Sequence, residues 1–111
     1  MNGLSELLTK TEIENGLHAS LAETSLMLAL KPDLVGDERP NEGIEENIPE
    51  GWSLEGNAPT AWLTADISKS GVIGDSRGAN ESLGKNLKEL LINHWFKLIM
   101  NLMQSDWPNN S

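Results

Sequence analysis

The sequence predicts a mixed α/β chain with two main helices and one or two short strands. Three observations support this class. A run of helix-forming residues covers 21–30, a longer helical stripe covers roughly 81–104, and the segment between them carries only weak strand signals. Because both helices are highly apolar, each needs an opposing layer of structure, and these 111 residues do not supply a convincing one.

The first main helix is predicted over residues 21–30. Leu, Ala and Met dominate this run, and all three favour helical backbone geometry. Ser20 and Glu23 have the spacing of a capping box, in which each side chain satisfies the other residue's backbone N–H. Pro32 ends the helix because its ring disfavours helical geometry at Lys31. The run is apolar nearly all round, so we expect burial on more than one side.

The second main helix is predicted over residues 81–104, with Asn80 as its N-cap. Leucines at helical spacing run along it, and beyond Leu90 the apolar surface widens to include tryptophan, phenylalanine, isoleucine and methionine. That width exceeds what a surface helix needs, and it predicts burial against a sheet or a partner subunit. Polar residues interrupt the apolar run, so it is not a candidate membrane span.

The middle of the chain is predicted to be mostly irregular. Residues 36–60 contain three prolines, four glycines and a cluster of glutamates, with few large apolar side chains. A loop of this length is uncommon in a compact domain unless it is functional or packs on another surface. The glutamate cluster favours a solvated loop, since the sequence has no defined calcium-loop pattern. Residues 61–67 are predicted as a short strand, and residues 1–10 as one or two helical turns.

Composition excludes several classes of function. The net charge of -9 and the isoelectric point near 4.5 disfavour binding to nucleic acid or to an anionic membrane surface. The lack of cysteine excludes disulfides, thiolate metal sites and a cysteine nucleophile. The first ten residues have no apolar signal-peptide core. We therefore expect a single cytoplasmic domain.

The strongest candidate for chemistry is the pair His18 and Glu23. On a continuous helix, residues five apart point roughly 140° away from each other. If His18 lies in the turn before the helix, the two side chains converge at a helix N-terminus, where backbone N–H groups favour negative charge. A histidine beside a carboxylate can then move protons near neutral pH. The alternative is that Glu23 serves only the capping box and His18 is a solvated turn residue.

Other polar residues are weaker candidates. His94 lies on the apolar stripe of the second helix, where a lone histidine is more often packed and hydrogen-bonded than a ligand. Asp33, Asp66 and Asp75 are next to proline or turn residues, where aspartate is common for local reasons. The sequence alone therefore predicts no metal ligands and no cofactor-binding residues.

Residues 18–35 resemble a signature of the creatininase (creatinine amidohydrolase) family. The shared pattern is a histidine, a small-residue stretch, Glu-Thr-Ser at 23–25, an apolar helix and a Pro-Asp-Leu-Val ending. A second stretch, from residue 61 to the start of the last helix, is similar to the family's closing segment. Two departures are Ala19-Ser20, where the family usually has glycine close after the histidine, and Ser76, where proline commonly follows the Gly-Asp pair.

The resemblance implies an α/β/α layered fold and hydrolysis of non-peptide C–N bonds in cyclic amides or formamides. It also implies ring-shaped oligomers and a two-metal site, usually of zinc or manganese. Only two family site residues match here: His18 as the proton shuttle and Glu23 as the residue that orients or assists it. The family's metal ligands lie in Glu-x-His and Asn-Gly-His patterns and a later Asp, and nothing in residues 1–17 resembles them. A divalent metal is thus implied by the family but not supported by ligands in this chain.

Two main hypotheses follow. In the first, residues 1–111 are the C-terminal portion of a single creatininase-like domain, inactive alone and acting on a small-molecule amide once a complementary N-terminal half is supplied. In the second, the chain is a non-catalytic assembly or interaction protein derived from that fold, and its wide apolar face forms a homo-oligomer. A small acidic helix pair of unrelated origin is a third possibility, which a fold without α/β/α layers would favour. None of the three involves nucleic acid or a membrane.

Overall fold

The computed structural model describes residues 3–43 and 48–109 of the chain. Within these residues, five α-helices and a two-stranded antiparallel sheet occur in the order α1 (Leu4–Leu7), α2 (Lys10–Asn15), α3 (Leu21–Leu30), β1 (Asn41–Glu42), α4 (Thr64–Ile67), β2 (Gly74–Asp75) and α5 (Glu81–Met103). A single 3-10 turn, Pro32–Leu34, follows α3. The predicted mixed α/β class with two main helices is confirmed. The α/β/α layering stays a prediction.

Helix α3 spans the ten residues predicted for it and ends before Pro32. Within α3, which the structure describes in full, Ser25 is the one fully buried residue. Met27 and Leu30 are exposed, so the expected burial on more than one side does not occur within the described residues of this single chain. One side of α3 packs on α5, and the other side faces solvent in this chain.

Helix α5 begins one residue after Asn80, as predicted, and ends at Met103. The Asn80 side chain accepts a hydrogen bond from the Leu83 backbone N–H at 2.8 Å. The Asn80 backbone N–H donates to the Ser25 hydroxyl at 3.1 Å, which ties the start of α5 to the middle of α3. At Gly84 the two backbones lie so close that an added Cβ would overlap the Ser25 carbonyl oxygen. Glycine is therefore required where these two helices cross.

The sheet is small, and it joins residues 41–42 to residues 74–75. Asn41 pairs with Asp75 and Glu42 with Gly74. An isolated antiparallel bridge between His18 and Ile73 continues this pairing toward the loop before α3. The apolar core of the described residues is correspondingly limited to four buried side chains, Leu54, Val72, Ile73 and Leu87.

Two local predictions in the middle of the chain were wrong. Residues 61–67 do not form a strand, because the Leu63 backbone N–H donates to the Asp66 carboxylate at 2.8 Å and this bond starts the short helix α4. A side chain that binds the backbone three residues earlier favours a helix start over a strand. Strand β1 lies in the segment predicted to be irregular, and its partner β2 is more than thirty residues away in sequence. Part of that segment, residues 44–47, lies outside the described residues.

The last three turns of α5 expose most of their apolar side chains to solvent. We define the distal face of α5 as the exposed side chains of Ile92, Trp95, Phe96, Ile99, Leu102 and Met103. The sequence predicts that this surface is covered by a sheet or a partner subunit, and within the described residues of this single chain it is uncovered. Across residues 3–43 and 48–109, no helix combines the length and apolar character that crossing a membrane requires.

Candidate functional site

The loop that carries His18 is anchored to the core through its backbone. The His18 N–H donates to the Ile73 carbonyl at 3.2 Å, and the Ile73 N–H donates to the His18 carbonyl at 2.8 Å. Leu17 donates to the same Ile73 carbonyl at 2.9 Å. Ile73 is only 1% exposed, so the main chain at residue 18 is fixed to the most buried apolar residue of the described chain.

Ala19 turns the chain between this bridge and helix α3. Its φ of 50° lies in the left-handed region, which costs a residue with a Cβ roughly 1–2 kcal/mol relative to right-handed geometry. The turn places His18 outside the helix while Glu23 lies in the first helical turn. This is the arrangement in which we expected the two side chains to converge.

The two side chains do lie together. His18 Nδ1 and Glu23 Oε2 are 4.0 Å apart, and the side chains are 54% and 59% exposed. This distance suits an ion pair with a protonated imidazole and is too long for a direct hydrogen bond. The same Glu23 oxygen accepts the Ala19 backbone N–H at 2.6 Å. The pair is thus an open, solvent-facing arrangement on a fixed backbone, and its catalytic role stays a prediction.

A residue that the sequence analysis missed, Glu12, caps helix α3. Its Oε2 accepts the Ser20 hydroxyl at 2.6 Å, and its Oε1 accepts the Ala22 backbone N–H at 3.0 Å. Glu12 and Ser20 are 7% and 2% exposed. The predicted capping box of Ser20 and Glu23 was wrong, because the Ser20 side chain makes no capping bond to α3 and the Glu23 carboxylate accepts the Ala19 N–H and not that of Ser20. The pattern Thr9-x-x-Glu12 does signal the start of α2, but no local pattern signals the contact with Ser20.

A cavity of about 640 Å³ lies beside this capping contact. Its lining combines apolar side chains with charged and polar ones, namely Thr9, Thr11, Glu12, Asn15, Gly16, Leu17, Leu21, Asn41, Glu42, Gly43, Leu54, Ile73, Gly74, Asp75 and Arg77. Among the described residues, the lining includes Leu17, which precedes His18, but neither His18 nor Glu23. The candidate pair therefore lies outside the cavity, although the loop that carries His18 contributes to the cavity wall.

Two charged residues of the cavity wall form an ion pair with each other. Arg77 Nε lies 2.8 Å from Asp75 Oδ1, and a terminal guanidinium nitrogen lies 2.9 Å from Asp75 Oδ2. The hydrogen bonds from Arg77 hold the pKa of Asp75 below its usual value, and the same contact raises the pKa of Arg77. Their charges therefore neutralise each other at the cavity wall.

Glu42, also on the cavity wall, is bound by the turn that follows α4. The Ser70 hydroxyl and the backbone N–H groups of Lys69 and Ser70 lower the pKa of Glu42 to about 2, and the Ser68 hydroxyl adds to this. The two backbone donors lie 2.8 Å from the carboxylate oxygens, and the Ser68 hydroxyl lies 3.0 Å away. Several donors on one carboxylate stabilise its ionised form. Glu42 therefore joins β1 to the 68–71 turn.

Comparison with protein families decides what the chain is related to. The family model described as creatinine amidohydrolase (creatininase) matches residues 2–99. The chain belongs to the creatininase family. The resemblance seen in the sequence is thereby confirmed, and the family implies an amidohydrolase-like function with a small-molecule amide as the substrate. Neither the curated proteins nor the solved structures include a match to the chain.

The creatininase family is generally metal-dependent, and a metal site requires several side chains that converge on one ion. In the part of the chain that the structure describes, no three His, Asp or Glu side chains converge in a way that could hold a metal ion. His94 lies far along α5, half-buried, and its ring contacts Trp95 edge to face with centroids 6.2 Å apart. The described residues therefore do not fit a metal site, and the identity of a zinc or manganese ion stays a prediction.

Proposed function

We propose that this chain supplies the proton-transfer side of a creatininase-type amidohydrolase, which hydrolyses a non-peptide C–N bond in a cyclic amide or formamide. The observation that carries the proposal is the convergence of His18 and Glu23 at the N-terminus of α3, on a loop whose backbone is fixed to Ile73. The lack of cysteine agrees with a cytoplasmic location, which we propose with it.

The chemistry assigned to the pair is proton transfer during hydrolysis. Water adds to the amide carbon, the C–N bond breaks, and a proton that water loses is delivered to the leaving nitrogen. The products are a carboxylic acid and an amine, which stay joined in one molecule when the amide is cyclic. His18 carries the proton, because an imidazole can accept and donate it near neutral pH. Glu23, 4.0 Å from Nδ1 of His18, orients the imidazole.

We further propose that residues 1–111 form the C-terminal portion of one creatininase-like domain. The exposed distal face of α5 and the small apolar core support this proposal, because both are what a part of a larger layered fold would present. A complementary N-terminal segment would provide the opposing layer and the metal-holding residues. The chain alone is then expected to be inactive.

The test is reconstitution with an N-terminal creatininase segment, followed by an assay of cyclic-amide hydrolysis. We expect no activity from the chain alone and measurable activity from the assembled pair. His18→Ala should lower kcat about 100-fold or more, as expected for loss of a general acid–base group, while leaving assembly intact. His94→Ala, which removes the other histidine, is the control and should leave kcat within about threefold. Full activity of the assembled His18→Ala variant would contradict the proposal.

A second candidate function is supported by the distal face of α5. An exposed apolar surface of this kind typically marks an interaction site, so the chain could act as a non-catalytic assembly protein. This function predicts a defined homo-oligomer in light scattering after size-exclusion chromatography, and no hydrolysis with any complementary segment. A monomer at all concentrations would count against it.

A further inference from the structure

Two carboxylates meet the N-terminus of α3 in different environments. Glu12 reaches it from α2, is buried, and binds both the N-cap residue Ser20 and the first-turn N–H of Ala22. Glu23 belongs to α3 itself, is exposed, and binds the Ala19 N–H next to His18. The positive end of the helix dipole attracts both groups, and each accepts a different backbone N–H, that of Ala22 for Glu12 and that of Ala19 for Glu23.

The sequence Ser20-x-x-Glu23 has a second conformation available to it. In a capping box, Ser20 would accept the Glu23 backbone N–H, and the Glu23 carboxylate would accept the Ser20 backbone N–H. That conformation would move the Glu23 carboxylate one residue along the chain, from Ala19 to Ser20, and away from His18. In the structure the Ser20 hydroxyl is instead bonded to Glu12 at 2.6 Å.

We propose that Glu12 is a positioning residue for the His18–Glu23 pair. Its hydrogen bond holds the Ser20 hydroxyl toward α2, where that side chain makes no capping bond to the α3 backbone, and the Glu23 carboxylate stays at Ala19, 4.0 Å from the imidazole. The importance of this role in catalysis rests on the proposed function. The choice between the two positions of the Glu23 carboxylate is a property of the fold. A buried carboxylate with two donors forms stronger, charge-assisted hydrogen bonds than an exposed one, so the Glu12 arrangement is favoured.

The backbone around Glu12 and Ser20 is shaped for this contact. At Gly16, an added Cβ would overlap the Glu12 carboxyl group, and at Gly74 it would overlap the Ser20 hydroxyl. Gly74 also has a φ of +130°, which side chains with a Cβ rarely adopt. Two glycines therefore let the main chain close around the Glu12–Ser20 hydrogen bond from both sides.

The test is amide NMR on the isolated chain. In the wild type, the Ala19 amide proton should be displaced downfield by its hydrogen bond to Glu23. In Glu12→Ala, we expect that displacement to be lost at Ala19 and to appear at Ser20, as the capping box forms. In the double variant Glu12→Ala/Ser20→Ala, the box cannot form, so the Ala19 displacement should return. Ser20→Ala alone is the control and should leave Ala19 unchanged.

A merely structural role for Glu12 would not produce this rescue. If Ala19 is unchanged in Glu12→Ala, or if Ser20→Ala fails to restore it in the double variant, the inference is overturned. Should Glu12→Ala fail to fold, Glu12→Met keeps a similar length and removes both acceptor oxygens. A reduced Ala19 displacement in that variant supports the inference, and an unchanged one overturns it. Because no activity is measured, this result is independent of whether His18 proves to be catalytic.

Discussion

The two halves of α5 meet solvent in opposite ways. Along residues 81–91 the exposed side carries charges, including an ion pair of 3.1 Å between Lys85 and Glu81, and the other side packs on α3. Along residues 92–103 the exposed side is the distal face, and the segment has a single formal charge, at Lys97. Charged residues on a helix mark where it is built to meet water. The first half is thus packed within this chain, whereas the apolar surface of the second half is suited to contact with a partner.

The difference shows how each half gains its stability. The first half has Gly84 to let α3 approach closely and Leu87 to fill the contact, and both are buried. The second half has more apolar surface but no neighbour among the described residues to bury it. Apolar surface stabilises a fold only when it leaves water, so composition alone does not tell which half holds the chain together.

The largest expected effect comes from truncating the buried leucine of the first half. Leu87 is 2% exposed, and Leu87→Ala should lower the free energy of unfolding by about 3 kcal/mol, as buried leucines usually do. Leu102→Ala, at a leucine that is 62% exposed, is the matched control and should change it by less than about 0.5 kcal/mol. Urea titration followed by circular dichroism measures both. Equal losses would show that the two halves are packed alike.

The next effect should come from the helix crossing. Gly84→Ala introduces a Cβ that overlaps the Ser25 carbonyl oxygen, so α3 and α5 must separate. We expect a loss of about 2 kcal/mol, typical of overpacking, although alanine favours helices more than glycine does. Ser82→Ala, at an exposed position of the same turn, should be neutral or slightly stabilising. A stabilised Gly84→Ala variant would mean that the crossing is looser than the structure shows.

Acid should have a smaller effect on stability, through a carboxylate that lies outside α5. The pKa of Glu42 is lowered from 4.5 to about 2 in the folded chain, so its contribution to stability is complete above pH 4.5 and is lost as the pH falls toward 2. Glu42→Gln lacks this contribution, so its stability deficit relative to wild type should shrink between pH 4.5 and 2. Urea midpoints across that range measure it, with exposed Glu55→Gln as the control. A deficit that does not change with pH would contradict the assignment.

The smallest effect on folding is expected on the distal face. Phe96→Gln/Ile99→Gln should shift the free energy of unfolding of the isolated chain by less than about 0.5 kcal/mol, because both side chains are already in water. Self-association in sedimentation velocity should fall if this face binds a second copy, whereas Lys97→Gln should leave it unchanged. A large loss of stability would show that the distal face is packed within the chain.

The sequence predicted the elements that depend on local signals. Asn80 and Pro32 mark a helix start and a helix end through contacts within a few residues, and both boundaries were confirmed. The meeting of His18 and Glu23 was also predicted, from a turn placed before α3. The strand predicted for residues 61–67 was wrong because the prediction gave more weight to the apolar residues Trp62 and Leu63 than to Asp66, whose side chain starts a helix.

What the sequence could not predict depends on contacts between distant residues. Glu12 lies eight residues from Ser20, and nothing local indicates that it accepts the Ser20 hydroxyl. Likewise, β1 forms only because Asp75 and Gly74 come beside it. The burial of α5 was predicted from the width of its apolar surface. The spacing of apolar residues does not indicate whether the surface that covers them belongs to the same chain.

The hydrogen bonds between His18 and Ile73 have a practical consequence for protein engineering. Because both the N–H and the carbonyl of residue 18 are held by the core, the identity of the side chain there contributes little to the path of the main chain. Position 18 is therefore a suitable attachment point for a non-natural amino acid. A photo-crosslinking group placed there would capture a molecule that approaches the N-terminus of α3.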